Sequence, residues 1–177
     1  MEMIQKFDAV ILLWIQENLR FDVMTGIMKA ITFLGNAGWF WIVLGIVLLC
    51  FKKTKKTAIF AIISLAIGFV ITNLLLKNIA ARPRPHDEVA AIIPLIAKPL
   101  DYSFPSGHTS ASFACAFVYF KYFPKRYGLP LLILAVLIAF SRLYLGVHYP
   151  TDVLGGFCVA LGASTIACLL KDRYAKS

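Results

Sequence analysis

TAIFAIISLAIGFVITNLLL, running from Thr57 to Leu76, contains no charged side chain from end to end. At about 1.5 Å of rise per residue, a helix of that length covers the roughly 30 Å hydrocarbon core of a bilayer, so the stretch reads as a membrane span. Ala30 to Phe51 and Val153 to Leu170 are equally free of charge. Tyr127 to Ser141 is shorter, and Tyr102 to Phe120 is weakly polar; both can cross where neighbouring helices shelter their polar groups. A 60% hydrophobic fraction and a mean hydropathy of +0.78 fit a chain for which water is not the main solvent. At least five crossings in one all-α domain, residues 1–177, are expected.

The net charge of +9 raises the question of nucleic acid, and the placement of the charges answers it. Lys52, Lys53, Lys55 and Lys56 form one cluster; Lys121, Lys125 and Arg126 a second; Lys171, Arg173 and Lys176 a third. Alternating spans put all three on one membrane face, which the positive-inside rule makes cytoplasmic. Orientation therefore explains the charge, and no nucleic-acid partner is expected.

Residues 1–34 read as an interfacial amphipathic helix over Phe7 to Leu19, followed by a short first span from Phe21 to Leu34 that includes Asp22 and Lys29. Glu2, Lys6, Asp8 and Glu17 interrupt the start, so no cleavable leader is expected. Residues 77–104 hold Pro83, Pro85, Pro94 and Pro99 and read as an extended outer loop. Pro105 suits the first turn of the next helix, and Pro150 opens the last. Cys50, Cys115, Cys158 and Cys168 lie in spans without close pairing and read as small buried apolar residues.

This topology gathers three clusters at the outer rim: Lys77 with Arg84, Ser106 with His108, and Arg142 with His148 and Asp152. Three cations, two imidazoles, a hydroxyl and one carboxylate suit a tetrahedral anion, because lysine and arginine donate charge-assisted hydrogen bonds. If Pro105 begins a helix, the N–H groups of Ser106 and Gly107 add backbone donors at its positive end. Two histidines suggest one nucleophile and one general acid. Asp152 follows His148 by four residues and can accept from one ring nitrogen while the other attacks. His148 is thus the expected nucleophile, through a phosphohistidine, and His108 the acid. Clustered carboxylates of the kind magnesium or calcium prefers are lacking at the rim, where Asp87 and Glu88 are the spare pair, so neither metal nor other cofactor is expected.

Three segments, Lys77-Asn-Ile-Ala-Ala-Arg-Pro-Arg84-Pro85, then Pro105-Ser106-Gly107-His108, then Ser141-Arg142 with His148 and Asp152 following, resemble the signature of the type-2 phosphatidic acid phosphatase superfamily, which includes vanadium haloperoxidases. The resemblance covers Lys77 to Asp152. It implies a bundle of six transmembrane helices, phosphate binding by Lys77, Arg84, Ser106, Gly107 and Arg142, a nucleophile and orienter at His148 and Asp152, and an acid at His108. The compact chain is most similar to small bacterial undecaprenyl pyrophosphate phosphatases, which implies a cytoplasmic-membrane enzyme with its site on the outer face. Phosphatidylglycerophosphate, phosphatidic acid and lipid A phosphatases are the alternatives, since the motif residues touch only a terminal phosphate. An anion transporter or a membrane scaffold would leave both histidines idle.

Some rim residues have plainer readings. Arg82 and Lys98 read as anchors to lipid headgroups, although Arg82-Pro83 duplicates Arg84-Pro85 and only spacing separates the two arginines. Trp39, Trp41, Tyr102, Tyr144 and Tyr149 read as an interfacial belt, and Thr72 with Asn73 as polar packing inside the bundle.

Overall fold

Residues 2–174 are described in the computed structural model, and every regular element among them is helical. Helix α1 spans Glu2–Leu19, α2 Asp22–Gly35 and α3 Trp39–Leu49. Helix α4 spans Lys55–Phe69 and runs through π-helical turns at Val70–Leu76 into α5, Lys77–Ala80; α6 is the short Pro85–Glu88. Helices α7, α8 and α9 cover Gly107–Tyr122, Lys125–Tyr144 and Pro150–Tyr174. Met1 and Lys176, which entered the sequence reading, lie outside the described residues.

Among the described residues, four segments are long and apolar enough to cross a membrane: Asp22–Leu49, Lys55–Glu88, which is interrupted at residues 81–84, Lys125–Tyr144 and Pro150–Tyr174. The first joins two segments that the sequence reading separated. Its α2 and α3 meet at a 3-10 turn, Asn36–Gly38, where φ of 49° at Ala37 and 68° at Gly38 kinks the rod without ending it. Helix α7, the shorter and more polar segment, stands at the centre and packs on α4, α8 and α9.

Small side chains allow this close packing. Helix α7 presents Ser110, Ala114 and Ala116; facing it are Ala61 and Gly68 of α4, Ala135 and Ala139 of α8, and Gly156, Ala160 and Ala167 of α9. A Cβ on Gly156 would stand 2.5 Å from the Ser106 carbonyl oxygen, so glycine is what lets α9 meet the start of α7. Lipid provides no hydrophobic drive for helices to associate, and close contact with interhelical hydrogen bonds takes its place. Trp41 Nε1 donates to Ser112 Oγ (3.0 Å), Ser64 Oγ to the Ala114 carbonyl (2.8 Å), and Thr72 Oγ1 to Ser110 Oγ (3.0 Å). Ile46, Phe69, Val136, Leu161 and Leu169 instead point outward and exposed. Such a surface is costly in water and suited to acyl chains.

The two ends of the bundle differ. Lys121 bonds Asp172 at 2.7 Å, Lys171 lies 3.3 Å from the Tyr122 ring centroid, and Lys56 is within electrostatic reach of Lys171, so the basic clusters do share an end. Helix α1 caps the other end. Its Asp8 contacts Thr151, its Gln16 contacts Ala91 and Ile93, and after its last turn Arg20 donates to the Tyr144 and Ile93 carbonyls. A helix that meets one end of the bundle along its length lies across that end.

Two surface expectations fail. Trp41, Tyr144 and Tyr149 are buried, because each ring fills interhelical space and the Trp41 and Tyr144 polar atoms have partners there; Tyr144 Oη lies 3.0 Å from Thr25 Oγ1. Cys50 and Cys158 are exposed on the bundle surface, while Cys115 and Cys168 are buried. Residues 77–104 are partly helical, with α5 and α6 flanking a turn where Ala81 has φ of 42°.

Candidate active site

Lys77, Arg84 and Arg142 retain 7%, 2% and 3% of their exposure, a depth at which a cation needs an anion or several acceptors. The local chain delivers them there. Left-handed Ala81 ends α5, Pro83 keeps Arg82 to Arg84 extended, and Lys77 and Arg84 then converge on one carboxylate. That carboxylate is Asp101, absent from the sequence reading: Lys77 Nζ donates to Oδ2, and Arg84 donates to Oδ1 at 2.5 Å and to the Asp101 carbonyl at 2.8 Å. Asp101 also acts electrostatically on Arg142. Burial would raise its carboxyl, but Lys77 and Arg84 override that and hold it at about 2. Its side chain is still 53% exposed, so the bound carboxylate faces the opening.

Arg142 donates to Thr32 Oγ1 at 2.6 Å, while its buried Nε has no partner. An unpaired guanidinium nitrogen beside two other cations is a donor available to an incoming anion.

His148 is buried on the loop between α8 and α9. Its Nε2 is 3.4 Å from Arg84 Nη1, at the edge of the cation cup, and its Nδ1 is 3.5 Å from Asp152 Oδ2, a long contact rather than a formed hydrogen bond. Burial lowers the imidazole to about 4, with Arg142 and Arg84 adding to the shift and Asp152 opposing it. A neutral ring with a lone pair therefore faces the cup at neutral pH. Asp152 is fully buried in the first turn of α9, where its Oδ2 accepts from Tyr149 N–H (2.8 Å) and from the Ser103 hydroxyl.

His108, in the first turn of α7, is within electrostatic reach of Arg142, His148, Lys77 and Arg84, so both imidazoles belong to one site. Its Nε2 lies 2.9 Å from Oδ1 of Asn36, at the α2–α3 kink. Gly35 makes room for the ring: a Cβ there would come within 2.6 Å of His108 Cδ2.

The start of α7 differs from expectation. The helix begins at Gly107 with Ser106 as its N-cap, and Ser106 N–H is used by the Asp152 carbonyl at 2.9 Å, which ties α7 to α9. Gly107 and His108 are left as the unbonded amides of the first turn. Ser106 Oγ accepts from Thr109 Oγ1 at 3.0 Å, leaving its own proton free to be donated.

Arg82 is not a headgroup anchor. Its Nη1 is 2.7 Å from both Asp152 Oδ1 and Thr151 Oγ1, its Nη2 is 2.7 Å from Asp8 Oδ2, and its guanidinium lies over the Tyr149 ring. Arg82 thus links two buried carboxylates, Asp8 and Asp152. Asp8, Asn36, Asp101 and Ser103 are the site residues missed. Asn36 beside Ala37-Gly38 in an apolar run, and Asp101 four residues before Pro105, were the available signals.

Comparison with known proteins identifies the family. Residues 56–175 match the PAP2 superfamily. An undecaprenyl-diphosphatase of Sulfolobus acidocaldarius is 36% identical over 84% of this chain and 71% of its own length. An undecaprenyl-diphosphatase of Bacillus subtilis is 35% identical over 79% of this chain and 71% of its own. Among solved structures, a transmembrane PAP2-type phosphatidylglycerolphosphate phosphatase from Bacillus subtilis superposes with a TM-score of 0.80 at 26% identity, covering 98% of this chain and 88% of that one. Aquifex aeolicus LpxE superposes with 0.78 at 27% identity, covering 92% and 93%. With the family's three motifs converging at one end of a membrane bundle, this chain belongs to the PAP2 superfamily and is an integral membrane lipid phosphatase.

Proposed function

We propose that the chain removes the terminal phosphate of undecaprenyl diphosphate, at the outer face of a bacterial cytoplasmic membrane, through a phosphohistidine on His148. The observation that carries the reading is the Asp101 carboxylate, held by Lys77 and Arg84 in a seat bordered by His148 Nε2. An anion already fits where the terminal phosphate would lie. The orientation rests on the basic clusters gathering at the opposite end of the bundle.

In this mechanism the phosphate displaces Asp101 and takes donors from Lys77, Arg84, the free Nε of Arg142, the Ser106 hydroxyl and the amides of Gly107 and His108. The His148 Nε2 lone pair attacks phosphorus as the bridging P–O bond breaks. The developing positive charge on the ring is stabilised by Asp152. His108, oriented by Asn36, gives a proton to the departing oxygen of undecaprenyl phosphate. Water deprotonated by His108 then attacks the phosphohistidine, releasing inorganic phosphate and restoring both rings.

The test measures phosphate release in detergent with EDTA, comparing kcat/KM for a polyprenyl diphosphate, phosphatidylglycerophosphate and phosphatidic acid. The diphosphate is expected to lead, and a phosphohistidine should be trapped by acid-sensitive labelling and lost in His148→Ala. Preference for phosphatidylglycerophosphate would overturn the substrate, and an unlabelled but active enzyme would overturn the nucleophile.

A further inference from the structure

Asp152 is held more completely than an orienting carboxylate requires. Oδ1 accepts from Arg82, and Oδ2 accepts from Tyr149 N–H and the Ser103 hydroxyl while facing His148 Nδ1. Ser103 is itself placed by Arg82, whose carbonyl accepts from Ser103 N–H at 2.8 Å. Arg82 therefore reaches Asp152 by two routes, its guanidinium and its backbone.

The guanidinium is fixed in turn by Asp8. That carboxylate is fully buried, though it comes from the amphipathic rim helix α1, and besides Arg82 it accepts from Thr151 N–H at 3.2 Å and from the Thr151 hydroxyl. Thr151 directly precedes Asp152, so Asp8 grips the helix start that carries the orienter. A buried carboxylate without such partners would be strongly unfavourable. An arginine suits the link because its planar fork presents separate nitrogens to the two carboxylates in a fixed geometry, where a lysine offers a single nitrogen on a flexible stem.

We propose that Arg82 and Asp8 are a positioning pair: Arg82 sets the plane and charge of Asp152 so that His148 presents Nε2 to phosphorus, and Asp8 sets Arg82. The rim helix α1 is then part of the catalytic apparatus rather than a membrane anchor alone. The proposal rests on the reading of His148 as nucleophile. Neither residue contacts the cation cup, so substrate affinity and turnover should separate.

The experiment uses the full chain purified in detergent, with a polyprenyl diphosphate as substrate and inorganic phosphate as a competitive probe of the cup. Arg82→Gln should lower kcat by about 10–100-fold, the usual cost of losing a partner behind an active group, with KM and phosphate inhibition unchanged. The acid limb of its pH profile should move upward, because Asp152, still facing Ser103, Tyr149 and His148, loses the cation that offsets its charge. Arg82→Lys should recover part of kcat. Asp8→Asn should lower kcat less, and have little further effect once Arg82 is replaced. Weaker phosphate inhibition and a raised KM in Arg82→Gln would assign Arg82 to substrate and overturn the pair. So would normal kcat per folded molecule with only a lower Tm. His148→Ala separates the two levels: if it retains turnover, the nucleophile reading has failed, whereas a dead His148→Ala beside a normal Arg82→Gln sinks the positioning pair alone.

Discussion

Arg82 and Arg84 are the same residue type, each followed by proline, yet they bind different carboxylates in different parts of the site. Arg84 points into the cup, where it donates to Asp101 and to the Val147 carbonyl (2.6 Å) beside His148. Arg82 points the other way, to Asp152 and Asp8, and shares no partner with the cup. In an extended chain successive side chains alternate in direction, so residues two apart would normally share a side. Here Pro83 and the turn into α6 intervene, and the reach of each guanidinium decides its partners. Repetition in sequence is therefore not redundancy: one arginine binds the carboxylate in the cup and the other the two carboxylates behind it.

The sharpest break of this comparison is at the atom both halves serve. His148→Ala should abolish phosphate release, and Asp152→Asn should reduce kcat by roughly 10²–10⁴-fold, read in the detergent assay with phosphate detection. Arg84→Gln comes next. It removes a charge-assisted donor from the cup and should depress kcat/KM by about 10²–10³-fold, with weaker phosphate inhibition. Equal loss of inhibition in Arg82→Gln would erase the distinction between the arginines.

A pH profile sharpens the comparison further. With His148 held at about 4, neutral imidazole should persist well below the ordinary histidine range, and kcat/KM should decline only as pH falls toward that value. Retention of activity at pH 5 checks this, and a nucleophile limb near 6.5 would contradict the burial argument. The smallest effect is expected at Asp101. Asp101→Asn removes a competitor for the phosphate seat, and inorganic phosphate should inhibit more tightly, by at most about fivefold, the scale of a half-exposed ion pair worth about 0.2–1 kcal/mol. Weaker inhibition would mean that Asp101 helps to build the seat.

Periodicity, charge and motif spacing carried much of this protein in the sequence. The uncharged lengths identified membrane helices, since the cost of unpaired backbone in lipid leaves few alternatives. The basic clusters assigned one end of the bundle, and Lys77, Arg84, Ser106, His108, Arg142, His148 and Asp152 were all legible as members of one site because each stands at a helix end facing the same way. Other features depended on contacts between segments far apart along the chain. Asp8 counted only as one of the charges interrupting the start of the chain until α1 was laid across the rim against Thr151. Asn36 lay without a role in the charge-free stretch from Ala30 to Phe51 until the kink brought it to His108, and Tyr144 and Tyr149 looked interfacial until α1 and residues 89–96 packed against them. Periodicity reports which face of a helix is apolar; it carries no information on which distant residue meets a polar group there. Pairing partners such as Arg82 with Asp8, or Asp101 with Lys77, are chosen by the packing of whole helices, and only the tertiary structure decides them.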